Sequence, residues 1–372
     1  MAELMRVLVV NTGSSSLKLR LLDATDDILA DESFGPDEVR SAKVSAFVLD
    51  LGREVDAVGH RVVHSGAIPG SARRVDDDAM EAIASAVALA PQHQAAALAA
   101  MHVIGKLVPG TPAVACFDTA FHASLPPAAA TYALPAVWRD RWDLRRIGFH
   151  GLSHAHVARR AAALLQRRTD PDFRVVSCHL GAGASLCAVL GGRSVDTTMG
   201  FTPLEGLVMA TRAGSVDPGL LLWLINHARV PARDVARELE ESSGLMGLAG
   251  TDDMREVVAR RELDEHAALA FDVYLHRLVR EIAAMTAALG GLDALVFTGG
   301  VGEHAPAIRQ AAAERLSHLG VAVDEHLNAL REPADRDVST GDADARTLVV
   351  QAREDLEIAR QTREVLSGHS PA

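Results

Sequence analysis

Short apolar runs alternate along this chain with long stretches whose apolar residues recur every three or four positions. The runs Val7–Val10, Ala57–Val63, Ala113–Phe117, Arg174–Cys178, Ala294–Phe297 and Thr347–Val350 are rich in Val and read as buried strands. The Ala- and Leu-rich stretches Asp77–Leu107, Ser153–Arg167 and Glu265–Leu289 read as helices. Strands alternating with helices predict the α/β class. No low-complexity linker interrupts the pattern, so any domain boundary runs through ordered chain.

The pattern also repeats itself. VLVVNTGSSSLKLRLLD (Val7–Asp23) and VVSCHLGAGASLCAVL (Val175–Leu190) each place an apolar run before a turn of small residues and resume with alternating side chains; the second meets a further turn at Gly191–Gly192. Both read as β-hairpins with a Gly/Ser tip. A separation of about one domain's length argues for two domains of similar fold, each presenting a tip to a shared cleft. Such tips let backbone N–H groups approach an anion closely and add hydroxyl donors, as phosphate requires. Lys18 stands beside one tip and His179 beside the other.

Length and charge narrow the picture. The chain has 372 residues, 48% of them apolar, enough for two domains with cores of their own. Its formal net charge of −12, spread without blocks, argues against nucleic acid or an anionic membrane as partner. An anionic ligand therefore needs a local cationic pocket. Cys116, Cys178 and Cys187 sit in apolar runs without metal-type spacing, as buried thiols of a reducing compartment do. No segment reaches the length of a membrane span, and MAELMRVLVV is too short for a signal peptide, so a cytoplasmic location is expected.

Candidate chemistry lies in four separated stretches. GHRVVHSG and FDTAFH follow apolar runs, which places Arg61 and Asp118 at strand ends, where α/β proteins hold ligands. Arg61 can clamp a carboxylate with its planar fork, and Asp118 can orient it. In RRIGFHGLSHAHVARR, His150 and His154 have i, i+4 spacing, yet no Glu lies between them as in H-E-x-x-H. Gly151 puts His150 at or before a helix start, where it can donate to an anion. GFTPLEGLVMATRAG buries one cation, Arg212, which calls for an anionic partner and suits the charge that develops in phosphoryl transfer. LVFTGGVGEH (Leu295–His304) reads as a Gly-rich loop before a helix near Pro306. The Rossmann and P-loop fingerprints are absent.

Together these motifs, from Val7 to about Arg360, resemble the acetate kinase family within the acetate and sugar kinase, Hsp70 and actin superfamily; GFTPLEGLVMATR, GFHGLSH and FTGGVGE carry the resemblance. It implies two duplicated actin-like ATPase (ribonuclease H-like) domains around a central cleft, residues 1–120 with the C-terminal helix 356–372, and residues 121–355. It also implies Mg-dependent transfer of the ATP γ-phosphoryl group to acetate, giving acetyl phosphate and ADP, in a homodimer. By the same resemblance Asn11 and Glu354 belong to the magnesium site (manganese being an alternative ion), and Ser14, Ser16 and Lys18 to the first phosphate loop. Arg61 matches the carboxylate-binding arginine, Asp118 the catalytic aspartate, and His150 and Arg212 the transition-state stabilisers. Val63, Phe149 and Pro203 match the pocket for the acetate methyl group, with Gln92 near it. His179, Leu180, Gly181, Ala182 and Gly183 match nucleotide-binding segments, as do Asp253, Met254 and Arg255 and the run Gly300, Val301, Gly302, Glu303, His304.

Four departures from the family's pattern are visible. Ala182 and His304 each replace a usual Asn, Gln92 replaces a usual Leu, and the region between Asp23 and Gly59 is roughly 30 residues shorter than is common in the family, by the same resemblance. Gln92 leaves propionate kinase as the nearest alternative. A non-catalytic ATP-dependent clamp is the alternative from another class, and it leaves the four polar candidates without a task.

Overall fold

A computed structural model describes residues 5–13, 16–66, 72–87 and 91–368, the side chains of Pro91 and Gln92 excepted. Its strands are β1 (Val7–Thr12), β2 (Leu17–Leu22), β3 (Ile28–Phe34), β4 (Ala57–Val62), β5 (Arg73–Arg74) and β6 (Ala113–Phe117), then β7 (Arg174–Leu180), β8 (Ala184–Leu190), β9 (Arg193–Thr197), β10 (Ala294–Thr298), β11 (Arg336–Asp337) and β12 (Arg346–Val349). All six strands expected from the apolar runs are present.

Two compact units divide the chain. One comprises residues 1–123, 149–156 and 353–372, and the other 124–148 and 157–352. The short segment 149–156, with His150 in it, thus groups with the N-terminal residues, whereas the sequence reading drew one boundary at residue 120.

The first unit holds a six-stranded sheet in the order β3-β2-β1-β4-β6-β5, and the second one in the order β9-β8-β7-β10-β12-β11. Each opens with two antiparallel hairpin pairings, continues through parallel pairs (β1 with β4 and β4 with β6; β7 with β10 and β10 with β12), and closes on a two-residue antiparallel edge strand. Strand for strand the two sheets are the same, which is the duplicated α/β fold expected from the repeated hairpin.

Both faces of the first sheet are buried. Leu8 and Val10 on β1 pack with Ala100 and Ile104 of the helix Pro91–Leu107, while Val7 and Val9 pack with Ile358 and Ala359 of the helix Glu354–Leu366. Alternate residues of one strand therefore serve two helical layers, so β1 reads as a continuous Val/Leu run rather than an alternation. The C-terminal helix is in this way part of the N-terminal unit's core. In the second unit the 25-residue helix Glu265–Leu289 spans the range expected for it and buries ten side chains, from Ala267 to Leu289.

Three elements differ from expectation. The stretch Asp77–Leu107 holds two helices, Asp77–Ser85 and Pro91–Leu107, with Pro91 at the first position of the second, where its missing N–H costs no helical bond. The helix expected at Ser153–Arg167 runs over Gly151–Leu164. The segment GGVGEH is a short helix, Gly299–His304, followed directly by the helix Pro306–Arg315. Its N-terminus is held by the Glu303 carboxylate, which accepts from Gly299 N at 3.0 Å. Among the described residues, no helix is long and apolar enough to cross a membrane. All three cysteines are free and buried, and burial pushes their thiols up.

Candidate active site

In the first unit, polar side chains gather at the carboxyl ends of the parallel strands β1, β4 and β6. Asn11 is the fifth residue of β1, Arg61 the fifth of β4, and Asp118 follows β6 directly, its N–H donating to Val62 O at 3.0 Å. Arg61 donates through Nη2 and Nε to Asp118 Oδ2, at 2.7 and 3.1 Å, and through Nη1 to Asn11 Oδ1 at 3.2 Å. Asn11 Nδ2 in turn donates to Glu354 Oε2 at 2.9 Å, and that oxygen lies 3.7 Å from Arg61 Nη1. Glu354 opens the C-terminal helix, so four residues spread over 343 positions form one cluster.

The cluster sets one guanidinium, Arg61, against two carboxylates, Asp118 and Glu354. Asp118 is 1% exposed, and among the described residues its Oδ1 has no hydrogen-bond partner. Burial pushes the Asp118 carboxyl up to about 6, against the pull of the Arg61 guanidinium. Burial opposes the Arg61 charge too, but Asp118 and Glu354 outweigh it and hold the guanidinium firmly protonated. The unpartnered Oδ1 leaves one buried acceptor for a donor from outside the protein.

His150 is placed by backbone rather than by packing alone. It has φ +56°, a left-handed conformation that costs a non-glycine residue on the order of 1 kcal/mol or more, and its carbonyl accepts the N–H of His154 to open the helix at Gly151. Gly151 N donates to Asp118 O at 2.8 Å, and a Cβ on Gly151 would overlap that same oxygen. A side chain at 151 would separate His150 from Asp118. Behind them His122 is fully buried, 2.9 Å from Phe149 O through Nε2, and burial lowers its pKa to about 4. It is neutral at pH 7 and can donate to that carbonyl. Val63 and Phe149 are buried, and the ring of His64, which follows Val63, lies 6.2 Å from the Phe149 ring. Among the described residues, no group of three His, Cys, Asp or Glu side chains is arranged to hold a metal ion.

The second unit supplies a cavity of about 440 Å³. Gly181, Ala182, Asp253, Met254, Arg255, Gly300, Val301 and His304 line it, eight of the positions expected to bind nucleotide. His179, Leu180, Gly183, Gly302 and Glu303 are not on its wall: Leu180 is buried, Gly183 O accepts from Gly181 N at 3.0 Å, and Glu303 caps backbone at Gly299 and Ala352. Ala210, Leu245, Tyr274 and Asp252 line it as well. Ala210, Leu245 and Tyr274 sit in apolar runs and carry no chemical signature there, so sequence reasoning missed them. Arg309 was missed for another reason. It is fully buried and donates to Gly302 O, Glu303 O, and both the side chain and the carbonyl of Asn328, fixing the C-terminal end of the short helix at 299–304.

Arg212 lies on the segment that walls this cavity. Ala210 N donates to Ala182 O at 3.1 Å, and Met209 N to Arg212 O at 3.1 Å. The guanidinium donates to Pro203 O at 2.9 Å, and no carboxylate is within ion-pair distance of it among the described residues, the acidic Glu240 acting only from further away. No described residue within ion-pair distance supplies the anionic partner expected for it. Burial lowers its pKa, the opposite direction to Arg61. Of the first phosphate loop, Ser16 is half-buried with its carbonyl accepting from Gly13 N, and Lys18 is exposed on β2. Ser14 lies outside the described residues, as does the side chain of Gln92.

Comparison with known proteins gives consistent findings. Residues 38–360 match the acetokinase family. An acetate kinase of Streptomyces coelicolor is 42% identical over 396 residues, covering 97% of this chain and 97% of the relative; one of Synechococcus sp. is 46% identical over 323 residues, 86% of this chain and 79% of the relative. The 396-residue alignment is longer than the 372-residue chain, so that relative carries stretches this chain lacks. Among solved structures, an acetate kinase from Porphyromonas gingivalis superposes with a TM-score of 0.89 at 32% identity, covering 97% of this chain and all of the other. A propionate kinase from Francisella tularensis matches with the same TM-score, identity and coverage.

Proposed function

Because the chain belongs to the acetokinase family, and so is a kinase with a carboxyl group as phosphoryl acceptor on the duplicated actin-like fold, we propose roles for its residues in converting acetate and ATP to acetyl phosphate and ADP. A carboxylate oxygen of acetate attacks the γ-phosphorus of ATP, the bond to the β-phosphate oxygen breaks, and ADP leaves; no proton need move, since the acceptor is already an anion. What the protein must supply is position and positive charge.

Arg61 binds the acceptor carboxylate, and Asp118 holds the guanidinium in place. His150 and Arg212 meet the charge on the three equatorial oxygens in the transition state. Arg212 suits this task because it is half-buried and, among the described residues, has no carboxylate within ion-pair distance, so its charge is reserved for a ligand. Val63, Phe149, Pro203 and Gln92 bound the acyl group. The cavity walled by Gly181, Ala182, Asp253, Arg255, Gly300 and His304 takes the nucleoside. Ser14, Ser16, Lys18 and His179 take the phosphate-binding roles that the family resemblance implies.

A divalent cation fits the oxygen-rich set at the strand ends: Asn11 and Glu354 offer hard oxygens, and the unpartnered Asp118 Oδ1 can accept from a coordinated water. Few protein ligands with several waters and phosphate oxygens suit magnesium better than zinc. When bound, the cation would neutralise charge on the phosphates; Asn11 and Glu354 would orient it.

The observation that carries the reading is the buried Arg61–Asp118–Asn11–Glu354 cluster at the carboxyl ends of β1, β4 and β6. Its direct test is ³¹P NMR of purified protein with acetyl phosphate and Mg-ADP. The expected outcome is a growing ATP signal with loss of acetyl phosphate; unchanged signals would contradict the reading. Propionate kinase is the second reading, supported by the solved relative of that name, and the curated relatives favour acetate.

A homodimer in the cytoplasm is part of the same proposal. The helix Pro218–Asn226 (PGLLLWLIN) buries none of its side chains, with Leu222 60% and Trp223 53% exposed, an apolar face suited to a second copy. Sedimentation equilibrium should give twice the chain mass, and a monomer would remove this part.

A further inference from the structure

The segment Met199–Pro203 is braced from one side by a network that the phosphoryl-transfer chemistry leaves unexplained. Glu205 is at its centre. Its Oε2 accepts from the Tyr132 hydroxyl at 2.6 Å, and its Oε1 accepts from Arg146 Nη2 at 2.7 Å. The same Tyr132 oxygen accepts the N–H of Phe201 at 2.9 Å, and Arg146 Nη1 donates to the carbonyls of Thr197, Thr198 and Met199 at 3.1 to 3.2 Å. Arg146 also lies over the Tyr132 ring, 5.6 Å from its centre. Every one of these contacts ends on the backbone between 197 and 201 or on the side chains that grip it.

Gly200 is the point of closest approach. A Cβ there would overlap both the Glu205 carboxylate and the Tyr132 hydroxyl. Its carbonyl accepts the N–H groups of Ile147 and Gly148, at 3.1 and 3.2 Å, and Gly148 precedes His150 by two positions along the chain. Three residues past Gly200, Pro203 O accepts from Arg212. The brace therefore fixes the backbone that fixes Arg212.

What makes the brace necessary is the space beside it. A cavity of about 490 Å³ is lined by Tyr132, Thr202, Leu204, Glu205, Gly214 and Ser215, among others. The residues flanking Pro203 have room to retreat into it. Packing cannot hold the loop on that side, so hydrogen bonds must.

We propose that Tyr132, Glu205 and Arg146 are positioning residues for the acyl-binding loop: they keep Pro203 from backing into the adjoining cavity, and by doing so set how strongly the enzyme discriminates against acids longer than acetate. This rests on the role given above to Pro203. The sequence showed Glu205 only as one letter of GFTPLEGLVMATR. Its partners are 73 and 59 positions away, so nothing local announced them.

Tyr132→Phe removes a single oxygen and two hydrogen bonds, and it is the variant to make first. The ratio of kcat/KM for propionate to that for acetate should rise about fivefold, with a higher KM for acetate and an unchanged KM for ATP. Glu205→Ala should raise the ratio as well, and the double variant should add little to either single one, because both cut the same brace. Hydrogen exchange at residues 199–206 should quicken in Tyr132→Phe, a readout independent of turnover. A ratio unchanged in a folded Tyr132→Phe protein, or unaltered exchange in that loop, would overturn the proposal. If the wild-type protein phosphorylated no carboxylic acid, the parent reading would fail on its own and the acyl role of the brace with it, whatever the exchange data showed.

Discussion

The two sheets share one topology and put it to different use. At the carboxyl ends of β1, β4 and β6, the first unit places Asn11, Arg61 and Asp118, charged and polar groups joined through the Arg61 guanidinium. At the matching ends of β7, β10 and β12, the second unit places Leu180, Thr298 and Val349, followed by glycines or by backbone that caps a short helix. The same scaffold thus carries a charged cluster at its strand ends in one unit and small residues beside a cavity in the other. The contrast extends to buried arginines. Arg61 is pushed to a higher pKa by two carboxylates, whereas Arg212 and Arg309 are lowered by burial, Arg309 to about 10, and bind only neutral acceptors.

The largest effect that would break this comparison concerns Arg212. Arg212→Ala should lower kcat by about 10³-fold or more with a smaller change in either KM, since an unpaired cation serves the transition state. Steady-state rates near those of the wild type would mean that its isolation from carboxylates is incidental. Next comes Asn11→Ala, expected to raise the magnesium concentration for half-maximal rate by about 10- to 100-fold, read from a metal titration at saturating substrates. No shift in that midpoint would detach Asn11 from the cation.

The Asp118 carboxyl, pushed up to about 6 by burial, predicts a pH effect whose sign is fixed. Its carboxylate form is lost as pH falls through that value, and with it the grip on Arg61. The kcat/KM for acetate should therefore fall on the acid side with an apparent pKa near 6, and the inflection should vanish in Asp118→Asn. A flat profile down to pH 5 would contradict this. In the second unit, Arg309→Met should cost about 3 kcal/mol of stability by stranding the carbonyls it serves, and should raise the KM for ATP but not for acetate. An equal rise in both would show that the short helix does not act on the nucleotide side alone. The smallest effect is expected for His304→Asn, a change in ATP KM of less than about tenfold, because one contact at a cavity wall is altered.

Much of this was legible beforehand, for physical reasons. The strands were visible because a sheet covered on both faces needs unbroken Val/Leu runs, and the helix Glu265–Leu289 because its periodicity persists for seven turns. Arg61, Asp118, His150 and Arg212 stood out because a charged or titratable residue among apolar and small ones asks for a reason. Two things were hidden. The end of one helix at Ser85 and the start of the next at Pro91 fall within a uniformly Ala-rich region, where propensity is nearly constant. The Tyr132–Glu205–Arg146 brace and the Arg309–Asn328 clamp join residues 19 to 73 positions apart, each unremarkable in its own neighbourhood. Glu354 was recognised only through family resemblance, since no pattern within one sequence ties it to Asn11.

The account's central claim is that the polar cluster of the first unit receives a small carboxylic acid for phosphorylation by nucleotide. It is tested most directly by incubating the protein with Mg-ATP and hydroxylamine in the presence of acetate, propionate or butyrate, and measuring acyl hydroxamate against acid concentration. The account predicts product from all three in falling order of kcat/KM, acetate first. ATP binding without hydroxamate from any acid would contradict it.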